Sequence, residues 1–297
     1  PLNGNFASFD GNGHSINFAG TYDMGASSEI GLFSTLSDES TVKNLIVNYI
    51  SSADGNDLNN DANDSIYGLN GLRTVKFITS ADSFVFGSIA AENQGIITNC
   101  QVYTERNEQD EYYLAVKADN ALAGSSFIGG IAGRNSGYIT NCGVSINAKA
   151  PFNLAGIVAQ NNNKIAACYF KEGKLINNSQ QDQHVAGMAI ENSKDSQIIT
   201  SYVSGEETNT NLYSHDSESY ITSTLSGAGF VFNNAGLIKD CYTDIDLSKT
   251  SSDMAGFVFR NGGTIRNSFS LSILKSNTTA SAGFARDNSF DNLEGQF

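Results

Sequence analysis

The feature that most constrains this chain is a seven-residue motif ending in asparagine, which recurs seven times. In each copy two small residues precede a large apolar residue, and mainly small or apolar residues then lead toward the asparagine. The copies are GSIAAEN (87–93), GGIAGRN (129–135), AGIVAQN (155–161), AGMAIEN (186–192), AGFVFNN (228–234), AGFVFRN (255–261) and AGFARDN (282–288). A degenerate earlier copy, IGLFSTL, occupies residues 30–36. Such a repeat predicts one supersecondary unit stacked on itself.

A second half-unit follows each motif at a nearly fixed distance. In four units a cysteine stands seven positions after the asparagine, at Cys100, Cys142, Cys168 and Cys241. Ser268 takes that position after Asn261, and a longer turn after Asn192 is predicted to bring Tyr202 there. Successive asparagines are 26 to 42 residues apart, so the variation falls mainly in a loop that closes each unit.

These half-units predict two short strands around a tight turn, because they are rich in β-branched and aromatic residues and bounded by Gly, Asn or Ser. The large residue four positions before each asparagine is expected to point inward: Ile89, Ile131, Ile157, Met188, Phe230, Phe257 and Phe284. A single unit cannot bury its apolar side alone, whereas stacked units can. We therefore predict an all-β parallel solenoid of about 7–8 coils with a rise of ~4.8 Å per coil. It forms one domain over 1–297, with an opening coil (1–50), an acidic loop insertion (51–80) and repeated coils (81–297).

Two polar columns are predicted to mark corners of the coil. The first is the asparagine of the motif: Asn93, Asn135, Asn161, Asn192, Asn234, Asn261 and Asn288. Asparagine tolerates left-handed backbone angles, and amides stacked in register can hydrogen-bond to the coils above and below. The second column comprises Asn44, Asn99, Asn141, Ser201, Asp240 and Asn267. We interpret both columns as structural.

The net charge of the chain disfavours some classes of binding partner. The formal net charge is −14 and the pI is about 4.5, so nucleic acid and anionic membrane surfaces are disfavoured. No apolar stretch reaches the ~18 residues of a transmembrane helix, so no membrane span is expected in this chain. The chain begins at Pro1 without a basic and apolar leader, which we interpret as a mature form or an excised fragment.

The opening residues PLNGNFASFDGNGHSINFAG (1–20), with IGLF (30–33) and VKNLIV (42–47), resemble the GLUG-motif repeat proteins. The later copies AGFVFNNAGLIKDCYTDI (228–245) and AGFVFRNGGTIRNSFSLSI (255–273) match that pattern best. The resemblance implies a right-handed parallel β-helix in a secreted or surface-anchored bacterial protein. Some members precede metallopeptidases that cleave immunoglobulin A1. The His-Glu-x-x-His zinc motif of those peptidases is absent from this sequence, so proteolysis is not carried over.

The four cysteines are interpreted as core thiols. They fall in one column, where cysteine acts as a small buried hydrophobe. Zinc requires ligands that converge on a tetrahedron rather than a file along a rod. Disulfides between Cys100 and Cys142, or between Cys142 and Cys168, are conceivable, but parallel stacking suits S–S geometry badly.

One acidic loop is a weak calcium candidate. In DGNDLNNDAND (54–64), oxygen ligands alternate at Asp57, Asn59 and Asp61. Ala62 replaces the usual loop glycine, and Gly68 stands where a bidentate acid is expected. A solvated loop is the alternative, and no other cofactor is expected.

Catalysis is not expected. A carbohydrate-active β-helix would need acids at outward positions of adjacent coils beside Arg or Lys. The column predicted to face outward from the second strand is Lys43, Thr98, Thr140, Ala166, Thr200, Lys239 and Arg266, which contains no acid. Asp240, Asp244 and Asp246 form the nearest cluster, but all belong to one coil.

The variable loops are the predicted binding elements. Insertions at 52–80, 103–120, 171–183 and 204–225 occur at the same junction of the unit, which places them along one side of the rod. Their tyrosines, with nearby polar residues, are candidates to contact a glycan or protein: Tyr112, Tyr113, Tyr213, His215, Asp216 and Tyr220. The alternative is that these loops only shield a sheet edge.

The leading functional hypothesis is a non-catalytic, secreted or cell-surface bacterial domain that acts as an adhesive or spacer. Its partner would be a protein or glycan of a host or neighbouring cell. A self-assembling filament or surface-layer subunit is one alternative, because open parallel ends invite stacking. A carbohydrate-active lyase or hydrolase is the other.

Overall fold

The computed structural model describes residues 1–51, 69, 72–105, 112–118, 126–179, 183–205, 220–223, 226–248, 253–274 and 281–288. Within these ranges the chain is entirely β-strand, turn and irregular structure, with no α-helix. Accordingly, these ranges hold no helix that is long and apolar enough to cross a membrane.

The strands stack into five parallel sheets, which we name A to E in the order that a coil visits them. Sheet A contains β1 (Leu2–Gly4), β6 (Phe33–Leu36), β11 (Ala90–Asn93), β16 (Ala132–Asn135), β21 (Val158–Asn161), β26 (Ala189–Asn192), β31 (Val231–Asn234), β35 (Val258–Asn261) and β38 (Ala285–Asp287). Sheet B contains β2 (Ser8–Asp10), β7 (Thr41–Lys43), β12 (Ile96–Thr98), β17 (Tyr138–Thr140), β22 (Lys164–Ala166), β27 (Gln197–Ile199), β32 (Leu237–Lys239) and β36 (Thr264–Arg266). Sheet C contains β3 (Ser15–Ala19), β8 (Ile46–Ile50), β13 (Gln101–Thr104), β18 (Gly143–Ser145), β23 (Tyr169–Lys171), β28 (Tyr202–Ser204), β33 (Tyr242–Asp244) and β37 (Phe269–Ser270).

The remaining two sheets complete the coil. Sheet D contains β4 (Thr21–Asp23), β9 (Arg73–Thr79), β14 (Tyr112–Ala118), β19 (Asn147–Ala150), β24 (Lys174–Asn177) and β29 (Tyr220–Ser223). Sheet E contains β5 (Glu29–Ile30), β10 (Val85–Gly87), β15 (Phe127–Gly129), β20 (Asn153–Ala155), β25 (His184–Ala186), β30 (Ser226–Ala228) and β34 (Asp253–Ala255). After each strand of sheet E the chain returns to sheet A one coil further on, as where β16 pairs with β11. The chain is therefore a right-handed parallel β-helix of about 7–8 coils, which confirms the predicted fold class.

The interior is one continuous apolar column. The large residue of the motif points inward, as predicted, and is fully buried in six coils: Ile89, Ile131, Ile157, Met188, Phe230 and Phe257. Phe284, in the last described coil, is 36% exposed. Its ring still continues the stack that begins at Phe230, because the ring centroids of Phe257 and Phe284 are 4.8 Å apart.

The glycine before the large residue is required by close backbone approach. A Cβ on Gly187 would lie 2.2 Å from the carbonyl oxygen of Gly229 in the next coil. The same contact, at 2.0–2.2 Å, recurs for Gly130, Gly156, Gly229 and Gly256. Ser88 takes this place before Ile89, whereas glycine at these later positions lets the backbones of neighbouring coils approach closely.

The predicted loops contain the fourth sheet. Strands β9, β14, β24 and β29 of sheet D all lie within sequence ranges that were predicted as loop insertions. The prediction that Tyr112 and Tyr113 are exposed in a loop is therefore wrong. They belong to β14 and are only 3% and 6% exposed. Sheet D is recognisable only by pairing, because its strands carry no copy of the repeated motif.

The coil after Asn192 also differs from the prediction. Its turn is two residues longer than the turn after Asn161, so Ser201 rather than Tyr202 occupies the cysteine column. The backbone N–H of Tyr202 donates to Cys168, and that of Tyr242 donates to Ser201. As a consequence, Thr200 takes the place predicted for Ser201 at the second corner, and Ile199 takes the outward place predicted for Thr200.

Candidate functional site

The asparagines of the motif form an internal ladder of hydrogen bonds. Each amide Nδ2 donates to the Oδ1 of the asparagine one coil further on, at 2.7–2.8 Å, from Asn93 through to Asn288. Several rungs also reach a backbone carbonyl of the next coil, as Asn135 Nδ2 does at Lys164. From Asn93 to Asn261 these residues are at most 6% exposed. The ladder therefore satisfies buried polar groups and fixes the register between coils.

The first rung shows what happens where the ladder stops. Leu36 occupies the position of the asparagine in the preceding coil, so Asn93 Oδ1 is buried without a partner. None of the asparagines in this column has a positive φ angle. The expectation that left-handed backbone angles select them is therefore wrong, and the hydrogen-bonding amide is the reason for the residue type.

The four cysteines are free and buried, in a file beside the second corner. Cys142 Sγ and Cys168 Sγ each lie 3.2–3.3 Å from a carbonyl oxygen two residues earlier. Burial raises the pKa of Cys142, and raises that of Cys241 to about 12. The Cys142 and Cys241 thiols therefore remain protonated at neutral pH. Cys100 differs, because its hydrogen bond with Cys142 lowers its pKa.

Several predicted site residues lie outside the described part of the chain. They are Tyr213, His215 and Asp216 of one loop and the calcium candidates Asp57, Asn59 and Asp61. Tyr220 is described and half-buried in β29, where Lys174 Nζ lies 5.7 Å from its ring centroid. Among the described residues no group of three or more His, Cys, Asp or Glu side chains is placed to hold a metal ion.

The predicted acidic cluster is divided between three environments. Asp240 occupies the second corner, where its Oδ1 accepts a hydrogen bond from Asn267. Asp246 is 5% exposed and accepts hydrogen bonds from the backbone N–H and the hydroxyl of Ser248. Asp244 lies on the outer face of sheet C. These three carboxylates therefore do not form a shared site.

The outer face of sheet C carries a row of aromatic rings in four consecutive coils, which we name the aromatic strip: Tyr169, Tyr202, Tyr242 and Phe269. Neighbouring rings are nearly parallel, with interplanar angles of 13°, 3° and 7°. Their centroids are 5.3, 5.0 and 5.4 Å apart. The tyrosines are half-buried, and Phe269 is 51% exposed. Alternation along each strand explains the arrangement, because Phe170 and Val203 point into the core.

Two neighbouring features hold the first ring of the strip. A Cβ on Gly143 would lie 2.3 Å from Cζ of Tyr169, so glycine leaves the space that the ring occupies. The Tyr169 hydroxyl donates to Gln101 Oε1 at 3.0 Å, and the Tyr103 hydroxyl donates to the same atom at 3.2 Å. The strip is therefore ordered at this end by packing and by hydrogen bonds.

Charged groups border the strip. Lys171 Nζ lies 3.1 Å from Glu172 Oε1 and 5.8 Å from the Tyr169 ring centroid. The hydrogen bond to Glu172 raises the pKa of Lys171, so this side chain remains a cation. Partial burial raises the pKa of Tyr103 and Tyr202, so their hydroxyls remain protonated donors at neutral pH.

A second outward row, on sheet A, was missed by sequence analysis. We name it the charged row: Glu92, Arg134, Gln160 and Glu191 in four consecutive coils. Arg134 Nη1 lies 2.8 Å from Glu92 Oε1, and Arg134 Nε donates to Gln160 at 2.7 Å. Gln160 Nε2 then donates to Glu191 Oε2 at 2.7 Å. Burial raises the pKa of Glu191, against the opposing effects of Gln160 and Arg134.

The signal for the charged row was present in the sequence. Each member directly precedes the asparagine of its motif, and three of the four residues at this position are charged. The row does not form a pair of catalytic carboxylates, however. Glu92 and Glu191 are three coils apart, or about 14 Å, whereas paired glycosidase carboxylates lie roughly 5–10 Å apart.

A serine and a histidine meet on sheet E beside this row. His184 Nδ1 lies 2.9 Å from Ser226 Oγ, and the imidazole stacks on Phe232 at 3.7 Å between centroids. Nucleophilic catalysis would require an acid on the far side of the histidine. Asp253 instead lies one coil beyond Ser226, where Arg286 is 3.5 Å from its carboxylate. Among the described residues, Asp253 is therefore not placed to serve as the acid of a triad with His184 and Ser226.

The outer face of sheet C is thus the best candidate for a ligand-binding surface. Comparison of the chain with protein-family models, with curated proteins and with solved structures found no match.

Proposed function

We propose that this chain is a non-catalytic β-helix domain of a secreted or cell-surface bacterial protein, in which it acts as an adhesive module. The observation that carries the proposal is the aromatic strip. Contiguous apolar surface exposed to water is uncommon on a soluble protein unless it contacts a partner. The resemblance to GLUG-motif proteins supports the cellular setting, and the net charge of −14 suits a domain that must stay dispersed in solution.

The rod itself supports the mechanical part of this role. Every described strand of sheet C pairs in parallel with its neighbours, so the strip is held by a continuous backbone ladder. A pulling force on a ligand bound along several coils would therefore be shared by many backbone hydrogen bonds of sheet C. A spacer without a ligand is the alternative, and it would need no exposed aromatic row.

Adhesion to cells is the test. Beads coated with the purified domain should bind saturably to a panel of cultured animal and bacterial cells. Beads coated with the Tyr202→Ala/Tyr242→Ala variant should bind less. Equal binding by control beads that carry an unrelated acidic protein would contradict the adhesive role and favour a spacer. Release of reducing or unsaturated sugars from polysaccharides by the domain would contradict the non-catalytic part.

A further inference from the structure

The geometry of the aromatic strip limits what can lie on it. If neighbouring rings touch at about 3.5 Å, centroids 5.0–5.4 Å apart require each ring to be displaced sideways by roughly 3.5–4 Å. The rings are therefore stacked in a parallel-offset arrangement, and part of each ring face remains open to solvent. The strip presents a series of apolar steps at a regular interval along the rod.

A polar column accompanies the strip at the same interval. Two residues beyond the rings on successive strands stand Lys171, Ser204 and Asp244, which are paired in register. The column supplies an ammonium, a hydroxyl and a carboxylate beside the tyrosine hydroxyls. A ligand that combines a weakly apolar face with many hydroxyl groups matches both columns.

We infer that the outer face of sheet C binds an extended, uncharged glycan chain parallel to the rod axis, with successive sugars on the aromatic strip. This inference rests on the proposed adhesive function and names its ligand class. The CH-rich face of a hexose packs on an aromatic ring, while its equatorial hydroxyls bond to polar neighbours. A chain of equatorially linked hexoses advances by a distance similar to the ring spacing for each sugar. One sugar can therefore meet one coil.

Charge distinguishes this ligand from other occupants. Two copies of the chain would each bring a net charge of −14, so face-to-face pairing is opposed by repulsion. The same repulsion disfavours nucleic acid and strongly anionic glycans. A neutral glycan has no such cost, and its many weak contacts repeat along the rod.

Calorimetry with defined oligosaccharides tests the inference. The probes are β-1,4-linked hexasaccharides of glucose and of N-acetylglucosamine, together with their disaccharides. At least one hexasaccharide should bind, and its disaccharide should bind much more weakly, because fewer rings are engaged. Tyr202→Ala/Tyr242→Ala should weaken binding on the order of 10- to 100-fold. Tyr202→Phe keeps the aromatic ring, so it should reduce the affinity less than Tyr202→Ala/Tyr242→Ala does.

Tyr138→Ala is the matched control, since Tyr138 is 48% exposed but stands on sheet B, away from the strip. It should leave affinity unchanged. Phe269→Ala removes the most exposed ring of the strip with the least effect on packing, so it separates binding from folding. Thermal unfolding of every variant is measured in parallel.

The outcomes separate the inference from the proposed function. No binding of either hexasaccharide, with cell adhesion retained, overturns the glycan inference and leaves the adhesive function. Binding that survives loss of the strip also overturns it. Concentration-dependent dimerisation that the strip variant abolishes would identify a second copy as the occupant instead. Hexasaccharide binding that falls with the strip variants and persists in Tyr138→Ala supports it.

Discussion

Two corners of the coil carry polar residues in successive coils, but they use them for different reasons. At the corner after sheet A the residue is asparagine from Asn93 to Asn288, and its amide is buried between coils. At the corner between sheets B and C the residue has a φ angle of 49–56° and is mostly exposed. There the residue type varies: Asn44, Asn99, Asn141, Ala167, Thr200, Asp240 and Asn267.

Similar polar columns can therefore arise from different structural constraints. The first corner requires a side chain that donates and accepts at once, which a short amide does. The second corner selects mainly for residues that tolerate the left-handed region, in which asparagine and aspartate are favoured and others are strained. Exposed side-chain hydrogen bonds also join some of these residues, as Asn99 donates to Asn44 and Asn267 to Asp240. Ala167 occupies the second corner although it has no hydrogen-bonding side chain, whereas Leu36 at the first corner ends the ladder.

The largest effect should come from interrupting the ladder. Asn161→Leu removes the acceptor of Asn135 and the donor to Asn192, so the variant should lose about 2–4 kcal/mol in free energy of unfolding. Urea unfolding measures the loss. Asn141→Ala, at the second corner of the preceding coil, should cost less than about 1 kcal/mol. Equal losses in the two variants would remove the distinction between the corners.

The next largest effect should come from a substitution at the glycine before the large residue of the motif, where the backbones of neighbouring coils approach closely. Gly187→Ala places a Cβ 2.2 Å from the Gly229 carbonyl oxygen and should cost about 1–3 kcal/mol. Gly283 provides a matched control in the same column, because a Cβ there would meet no atom of the described residues within 4 Å. Thermal unfolding should show a lower midpoint for Gly187→Ala alone. A similar shift in Gly283→Ala would argue against crowding as the cause.

A reciprocal exchange within one coil contrasts the two corners directly. Thr200 is β-branched and has a φ angle of 49°, so Thr200→Asn should raise stability by up to about 1 kcal/mol. Asn192→Thr, at the first corner, should lower stability, because a hydroxyl cannot span both neighbouring amides. Both variants are compared by urea unfolding. Destabilisation by Thr200→Asn would contradict the claim that the left-handed backbone angle mainly selects the residue at the second corner.

The smallest effect concerns Glu191, which precedes the buried corner. Burial raises the pKa of this carboxyl above its ordinary value of 4.5. The unfolded chain therefore loses the proton first, and folding is disfavoured progressively as pH rises through the unfolded and then the folded pKa. Glu191→Gln removes that cost while keeping an acceptor for Gln160, so it should stabilise the protein at neutral pH.

The pH profile provides the check on that prediction. The difference between Glu191→Gln and the parent protein should shrink to nothing in unfolding experiments carried out below about pH 4. A constant difference at every pH would assign the effect to packing rather than to ionisation.

Sequence analysis predicts the parallel β-helix because the motif places the same inward residue and the same asparagine in every coil. The sequence does not predict sheet D. Its strands repeat no motif, and the first residues of β14, Tyr112 and Tyr113, follow an acidic stretch that is typical of a loop. Pairing with β9 and β19 decides their burial, and pairing is not visible in a single segment.

The coil after Asn192 shows a second limit. In QIITSY (197–202), either Thr200 or Ser201 fits a polar corner, and only the backbone pairing distinguishes a turn that is two residues longer from one that is three longer. The candidate site was missed on similar grounds. Tyr202 was assigned to the core column, so its alignment with Tyr169 and Tyr242 was hidden.

Buried asparagine amides join successive coils of one parallel β-helix. A crystal structure that resolves Asn135, Asn161 and Asn192 would reveal whether these amides are paired. We expect Asn135 Nδ2 and Asn161 Nδ2 each to lie 2.8 Å from the Oδ1 of the next asparagine along the rod. Amides that face solvent, or asparagines that do not align along the rod axis, would contradict the account.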